Sequence, residues 1–361
     1  MKTSPWILLA ALSLSVGCGD DTSEGTDTET GSSSTDPSTS GSTTENTSST
    51  TDEGTSSTSV ADTGSSSESG SESGGSSSST GEAVRDVTIQ FAGRINGVDA
   101  ACDTSFTSVG SETSDAQVRD FRFYVSNIRL VDDQGSEVPV ELEQDGVWQY
   151  ENVALLDFED GTGFCADTGN ADLNTTIVGT VPEGNYDGIR FDIGVPDELN
   201  HTDPNTAEPP LNVLSMNWSW LAGRKFVRFD LDVDTGEVDM DENPIIFGWN
   251  THLGSQGCTN GDPANPNEPP TDPCTRPQRP AISFDTFDPD TNTVVVDAGS
   301  LLADVDVSSN LQGAPGCMSF YPPDPMMQDA DCAAVFPNYG MDWDTGDCVD
   351  GCSGQTFVTI E

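Results

Sequence analysis

The residues best suited to chemistry in this sequence are its two histidines, His201 and His252. Histidine is the commonest metal-binding side chain, and imidazole has a high affinity for copper. Two imidazoles suit Cu(I), which accepts two or three ligands. Zinc requires four ligands, and no third and fourth nitrogen or thiolate ligand is evident. Two histidines that only hydrogen-bond to the backbone are an equally good interpretation of the spacing alone.

Two tryptophans lie between the histidines, in the segment Met216-Asn217-Trp218-Ser219-Trp220. Trp218 and Trp220 are two positions apart, so they would share one face of a β-strand. Their aromatic rings could border a metal site formed by the histidines. Packing in the hydrophobic core is the simpler explanation of the pair.

Eight cysteines follow Cys18, and an even number in an exported chain indicates disulfide bonds. Eight cysteines allow many pairings, so spacing alone does not determine the connectivity. The short separations favour Cys258–Cys274, Cys317–Cys332 and Cys348–Cys352, which leaves Cys102–Cys165. A thiolate metal site is the rival interpretation, but the chain has no Cys-x-x-Cys pair.

Calcium is a weaker expectation. The alternating carboxylates Asp230, Asp232 and Asp234 resemble the start of an EF-hand loop. Thr235 stands where that loop requires glycine, and Asp241 stands where it requires a bidentate glutamate. A strand that enters an acidic hairpin explains this pattern better. Residues 342–347 carry a similar, equally weak signal.

The elements that must position these residues are β-strands. Hydrophobic residues alternate in several runs, and turn-forming residues separate the runs. No segment sustains a long helical period, although short helices are expected near residues 300–304 and 331–336. The predicted fold is all-β: an antiparallel β-sandwich or barrel with long loops, stapled by disulfides. The alternating positions are Val87, Ile89 and Phe91; Phe121, Phe123 and Val125; Ile189, Phe191 and Ile193; and Val227, Phe229 and Leu231.

Residues 1–18 have the pattern of an export signal. Lys2 supplies the positive start, and the apolar run over residues 6–16 is too short to span a bilayer as a helix. Ser15-Val16-Gly17-Cys18 is similar to a bacterial lipobox, with serine where leucine is usual. We expect lipidation of Cys18, which would hold the exported protein at a membrane, facing the periplasm or the cell surface.

Residues 19–82 consist mainly of Ser, Thr, Gly, Asp and Glu, with 13 acidic residues and no basic one. Such a segment buries too little apolar surface to offset its ordering entropy. We therefore predict a disordered, self-repelling tether over residues 19–82 and one folded β domain over residues 83–361.

The charge balance excludes some functions. The chain has 12 Lys and Arg against 62 Asp and Glu, a net charge of −50. Nucleic-acid binding requires a basic face that this chain lacks, and docking on anionic lipid is disfavoured for the same reason. Membrane contact is therefore expected through the lipid anchor only. A nucleophilic hydrolase would need a Gly-x-Ser-x-Gly elbow, which is absent. A carboxylate hydrolase is a further alternative, but no acidic pair stands out.

An ordered string of motifs resembles the MbnP-like family, also called the metallo-mystery pair system four-Cys motif proteins. The resemblance runs from about Val87 to the region of Met341. Its specificity lies in the order of the motifs, since no single one is distinctive. The motifs are Phe123-Tyr124-Val125-Ser126-Asn127-Ile128-Arg129-Leu130, Leu155-Leu156-Asp157-Phe158, Gly194-Val195-Pro196, Leu199-Asn200-His201, Met216-Asn217-Trp218-Ser219-Trp220 and His252-Leu253-Gly254-Ser255.

The resemblance implies an exported copper-binding protein that is not itself an enzyme. In that family a dihaem, MauG-like peroxidase partner oxidises a tryptophan to kynurenine. By position, His201 and His252 would be the copper ligands, and Trp218 or Trp220 would be the modified residue and a further ligand. The four cysteines of the family name would match Cys102, Cys165, Cys258 and Cys274.

The chain also departs from the family pattern. Trp249 lies three residues before His252 and is a third, weaker oxidation target. Arg224 stands where an aromatic residue is expected, and the loop between Cys348 and Cys352 looks like an addition. An acidic adhesion module with calcium-stabilised loops and no copper is the alternative function; it predicts that neither histidine matters.

Overall fold

The structure is a computed structural model that describes residues 83–166, 171–262 and 265–361. The predicted signal (residues 1–18), Cys18 and the predicted tether (residues 19–82) lie outside the described residues. The strands are β1 (Val84–Ile95), β2 (Val98–Asp99), β3 (Ser105–Val109), β4 (Ser114–Asp132), β5 (Glu137–Pro139), β6 (Glu141–Leu142), β7 (Gln149–Tyr150), β8 (Val153–Asp157), β9 (Thr176–Pro182), β10 (Tyr186–Ile193), β11 (Asn217–Ser219), β12 (Gly223–Arg224), β13 (Val227–Val238), β14 (Pro244–Leu253), β15 (Ala281–Phe284), β16 (Thr293–Asp297), β17 (Gly316–Cys317) and β18 (Val358–Ile360).

Helical structure in the described residues is short, as expected. The α-helices are α1 (Asp197–Asn200), α2 (Ala298–Leu301) and α3 (Cys332–Val335). The side chain of Asp297 caps α2 by accepting hydrogen bonds from the first backbone N–H groups. Among these helices, none is long and apolar enough to cross a membrane. The 3-10 turns are Gly163–Cys165, Leu214–Met216, Pro325–Met327, Phe336–Tyr339 and Asp350–Cys352.

Two sheets pack face to face, which confirms the all-β prediction. The smaller sheet has the order β18-β16-β1-β9-β6, and the larger has the order β15-β10-β4-β13-β14-β17. The ring of Phe91 in the smaller sheet lies 6.4 Å from Phe123 and 5.9 Å from Phe191 in the larger sheet. This aromatic contact joins the two inner faces, as in a β-sandwich.

The pairing is mostly antiparallel, with two exceptions. The pairs β1–β16 and β14–β17 are parallel. The run Val294-Val295-Val296 lies on β16 and is buried, because β16 runs between β1 and β18. The sheets are therefore antiparallel, as predicted, apart from these two pairs.

Three neighbouring strands of the larger sheet, β4, β13 and β14, carry charged residues and His252 on the face opposite the core. Register pairs Arg122 of β4 with Arg228 of β13, and Arg228 with His252 of β14. Their neighbours along the strands, such as Phe121 and Phe229, point into the core. Because side chains alternate along a strand, Arg122, Arg228 and His252 lie together on the opposite face of the sheet.

The disulfides are Cys102–Cys165, Cys258–Cys274, Cys317–Cys332 and Cys348–Cys352. Three of these are the pairs that the short sequence separations favoured, and Cys102–Cys165 is the pair that they left. Cys102–Cys165 joins distant parts of the chain, with 63 residues of separation. Cys258–Cys274 closes the long loop that follows β14.

Candidate metal site

His252 lies near the end of β14 and is only 5% exposed. Its Nε2 atom is 2.7 Å from Oδ1 of Asp230, on the neighbouring strand β13. Burial opposes ionisation of Asp230, but hydrogen bonds and charge from His252 and Arg228 hold its pKa below the usual range. Asp230 is therefore a carboxylate and can only accept hydrogen bonds. Nε2 of His252 therefore carries a proton, and in the neutral imidazole the lone pair is on Nδ1.

The Nδ1 atom of His252 is buried and has no hydrogen-bond partner among the described residues. Leaving such a buried polar atom unpaired costs about 1–3 kcal/mol. A metal ion bound to Nδ1 would use its lone pair. Carboxylates commonly hold the far nitrogen of a metal-binding histidine in this way. The surroundings of His252 therefore fit a metal ligand.

A cluster of buried charges holds Asp230 in position. Arg228 lies 2.9 Å from Asp230 through its Nε atom and 2.9 Å from Asp120 through its Nη1 atom. Asp120 also pairs with Arg122. Each carboxylate thus contacts a guanidinium group, which offsets the cost of burying it. These ion pairs hold Asp230 in place against the imidazole of His252.

His201 follows helix α1, and its side chain is mostly buried. Its Nδ1 atom is 3.2 Å from the backbone oxygen of Trp220, so Nδ1 carries the proton. The lone pair is then on Nε2, to which the side-chain amide of Asn200 donates at 3.1 Å. Burial lowers the pKa of His201, which keeps the imidazole neutral at neutral pH. A neutral imidazole is the form that binds metal ions.

Arg224 on β12 holds the segment that carries His201. Its side chain is fully buried and donates to the backbone oxygens of Leu199, Asn200 and Leu211. Its backbone N–H donates to Oδ1 of Asn200 at 2.8 Å, which turns the amide nitrogen of Asn200 toward His201. Arg224 therefore acts as a brace for the His201 loop.

The segments that carry the two histidines pack side by side. The amide nitrogen of Asn200 lies 3.4 Å from Oγ of Ser255, three residues after His252. Gly254 lies against the ring of Trp218 and the backbone oxygen of Arg224, with no room for a side chain. Residues around both histidines are thus linked through a few direct contacts.

The two tryptophans occupy different surroundings. Trp218 lies on β11, where its ring packs against Gly254 and sits 5.6 Å from the ring of Phe320. Trp220 lies just beyond β11, and its indole N–H donates to the backbone oxygen of His201 at 2.5 Å. Both side chains are half-buried and lie outside the main hydrophobic cluster. Core packing therefore does not account for the pair.

Trp249 is part of the hydrophobic core. It is fully buried in the hydrophobic cluster, and its indole N–H donates to Oγ1 of Thr251 at 3.0 Å. It is three residues before His252 on β14, so the two side chains point to opposite faces of the sheet.

The disulfide Cys258–Cys274 lies beside His201. Sγ of Cys274 is 3.2 Å from Nε2 of His201. The ligand atoms of His201, Cys258 and Cys274 all lie within 4.8 Å of one another. Two sulfur atoms therefore border Nε2 of this imidazole, beside the Asn200 amide that donates to it.

The carboxylates considered for calcium have other partners. Asp230 contacts His252 and Arg228, and Asp232 pairs with Arg119 at 3.0 Å. The segment forms part of the hairpin β13–β14, as the strand interpretation predicts. Within residues 342–347, Asp344 accepts a hydrogen bond from the hydroxyl of Tyr321.

Two site residues were missed or misread in the sequence. Asp230 was read as a calcium candidate, whereas it holds the imidazole of His252. Arg224 was read only as a departure from the family pattern, whereas it braces the His201 loop. The signal for Arg224 was its rarity, because the chain has only 12 Lys and Arg. The role of Asp230 could not be read from the sequence, because its contact with His252 depends on the pairing of β13 with β14.

Comparisons with known proteins agree with the fold. The family model MbnP matches residues 84–319. Among solved structures, MbnP from Methylosinus trichosporium is 32% identical, with a TM-score of 0.63; the match covers 77% of this chain and 98% of that chain. No curated protein matches this chain. The match leaves the last residues, including the Cys348–Cys352 loop, outside the family model.

Proposed function

Because the chain belongs to the MbnP family, we propose that it is an exported protein that binds copper through His201 and His252. The family relationship suggests a role in copper systems. We assign the protein to copper acquisition, storage or delivery. The MbnP family is not known as a family of enzymes, and the proposed role is binding.

The observation that carries this proposal is the free Nδ1 atom of His252. It is buried and unpartnered in the described residues, while Asp230 holds the opposite nitrogen. His201 offers Nε2 in the complementary way, since its Nδ1 donates to a backbone oxygen. Nδ1 of His252 has no partner in the described residues, whereas Nε2 of His201 accepts from the Asn200 amide, which copper would have to displace.

The donor set favours Cu(I). Neutral imidazoles suit copper, and without an anionic ligand Cu(II) is poorly stabilised relative to Cu(I). The low pKa of His201 keeps protons from competing strongly at neutral pH. Copper is the cargo of the protein in this proposal.

We further propose that Trp218 or Trp220 is oxidised to kynurenine by a dihaem, MauG-like peroxidase. Kynurenine replaces an indole N–H donor with an aniline nitrogen that has a lone pair. The ring of Trp218 lies beside the His252 segment, and Trp220 contacts His201 directly. In this proposal the neutral aniline nitrogen of either product would serve as a further copper ligand. Lipidation of Cys18 would keep the protein at a membrane facing the periplasm or the cell surface.

Metal analysis of copper-loaded protein tests the copper proposal. We expect one copper ion per chain in the native protein and none in the His201→Ala, His252→Ala variant. Asn205→Ala is the matched control, because Asn205 is exposed in the same loop as His201. An unchanged copper content in the double variant would contradict the proposal. Calcium-dependent stability without copper binding would instead favour the adhesion module.

Mass spectrometry of the peptide that contains Trp218 and Trp220 tests the modification separately. Conversion of tryptophan to kynurenine removes one carbon and adds one oxygen, so the peptide mass rises by about 4 Da. We expect this increase after coexpression with the peroxidase. The variants Trp218→Phe and Trp220→Phe identify the residue, because only one of them should abolish the shift. A peptide that keeps its unmodified mass in the presence of active peroxidase would contradict the modification.

A further inference from the structure

The disulfide Cys258–Cys274 borders His201, a proposed copper ligand. Nε2 of His201 and both Sγ atoms lie within 4.8 Å of one another, and the closest approach is 3.2 Å, from Cys274. While the disulfide is intact, its sulfurs are poor ligands, since the thiolate is the form of cysteine that binds metals. Breaking the S–S bond would therefore place two thiolates next to an imidazole.

This disulfide is accessible to reducing agents. Cys258 is partly exposed and follows the exposed Gly257, while Cys274 is 7% exposed. The disulfides Cys102–Cys165 and Cys317–Cys332 have all their cysteines at 3% exposure or less, whereas Cys348 of Cys348–Cys352 is also partly exposed but lies beside no histidine in the described residues. Thiol–disulfide exchange requires that the attacking thiolate reach a sulfur atom. Cys258 offers such access.

We infer that reduction of Cys258–Cys274 creates a second, thiolate-based Cu(I) site formed by His201, Cys258 and Cys274. The inference rests on the proposed copper-binding function for the choice of metal. This second site uses neither His252 nor a kynurenine. Because both sites use His201, the reduced site competes with the site that His252 completes.

An external dithiol supplies the electrons and protons that reduce the disulfide. The dithiol gives two electrons and two protons to the disulfide, which becomes two cysteine thiols, and the dithiol becomes a disulfide. Cu(I) then replaces the two thiol protons, and its oxidation state does not change. The resulting site has two anionic sulfurs and one neutral nitrogen.

The donor set selects Cu(I). Thiolate sulfur is a soft ligand that favours Cu(I), and three ligands are sufficient for this ion. Zinc also binds thiolates, but a closed zinc site requires four ligands. Metal loading would therefore depend on the redox state of the Cys258–Cys274 disulfide, and the reducing partner would be a dithiol.

The full exported chain with His252→Ala separates the two sites. The protein is reduced with a phosphine, the phosphine is removed without oxygen, and the new thiols are counted. Cu(I) is then added in competition with a chromogenic chelator. We expect oxidised His252→Ala to bind no copper and reduced His252→Ala to bind one Cu(I) per chain. The reduced complex should show near-ultraviolet thiolate-to-Cu(I) absorption.

Two further variants make the result specific. In the His252→Ala background, Cys258→Ser with Cys274→Ser should abolish the regained copper. The control, Cys348→Ser with Cys352→Ser in the same background, should leave it unchanged. Circular dichroism checks that each reduced protein keeps its β structure. Reduced native protein provides the same absorption test where His252→Ala fails to fold.

The outcomes distinguish this inference from the proposed function. Failure of reduced His252→Ala and of reduced native protein to form a thiolate complex would overturn the inference and leave the two-histidine site intact. Copper regained despite loss of Cys258 and Cys274 would also overturn it. Copper binding by the reduced protein alone would support the inference and contradict the proposed two-histidine site.

Discussion

Hydrogen bonds to single atoms decide which nitrogen of each imidazole can meet a metal ion. Nε2–H of His252 donates to the carboxylate of Asp230, and Nδ1–H of His201 donates to the backbone oxygen of Trp220. The two histidines thus expose different nitrogens. Sequence motifs do not specify this choice, because each imidazole has two equivalent candidates until its neighbours are known.

We predict that Asp230→Asn weakens copper binding by about 10–100-fold, the usual effect of losing the carboxylate behind a metal-binding histidine. An amide no longer stabilises the Nε2–H tautomer, since its NH2 group can donate to Nε2 and shift the proton to Nδ1. Competition with a Cu(I) chelator measures the change. Asp232→Asn, on the same strand and paired with the half-buried Arg119, is the control. Equal affinities of the two variants would contradict the positioning role of Asp230.

At the scale of elements, the residues at the end of β14, the strand that carries His252, contact the β11–β12 hairpin. Gly254 follows Leu253, the last residue of β14, and allows Trp218 and Arg224 to approach the backbone. Ser319 adds a second support, because its hydroxyl donates to the backbone oxygen of His252 at 2.7 Å. The loops after β14 and β17 therefore meet at one histidine.

We predict that Gly254→Ala destabilises the fold and weakens copper binding. The added Cβ atom would lie 2.5 Å from the ring of Trp218 and 2.8 Å from the backbone oxygen of Arg224, so both must move. Overpacking of this kind costs about 1–3 kcal/mol. Thermal unfolding and Cu(I) competition measure the two effects. Gly248→Ala on the same strand is the control, since its Cβ would meet only the end of the Arg119 side chain at 3.4 Å. Similar behaviour of both variants would show that the close approach at Gly254 is unimportant.

At the scale of the whole molecule, disulfides link loops to the sandwich. Cys102–Cys165 closes 63 residues of chain, whereas Cys348–Cys352 closes 4. A crosslink restricts the unfolded chain more strongly when it closes a longer loop. The long link therefore contributes more to global stability, and the C-terminal link has a local effect.

Replacing each of these pairs by serine tests this ranking. Chain-entropy estimates give a loss of roughly 4 kcal/mol without Cys102–Cys165 and about 2 kcal/mol without Cys348–Cys352. Denaturant unfolding of the two double variants measures the difference. A larger loss for the C-terminal pair would show that native-state contacts outweigh loop entropy here.

The sequence by itself determined the β class; it also favoured three of the disulfide pairs and singled out the two histidines as candidate ligands. Alternating apolar residues such as Ile189, Phe191 and Ile193 predict strands because side chains alternate across a sheet, and all three are buried. The family relationship was also readable from motifs in their order along the chain.

Only the tertiary structure decided the role of Asp230, the brace formed by Arg224 and the contact between Cys274 and His201. Asp230 precedes His252 by 22 residues, and Cys274 follows His201 by 73. Contacts across such separations depend on strand register and loop paths, which local residue patterns do not encode. Burial then determines the protonation of these groups, because desolvation and neighbouring charges arise only after the chain has folded.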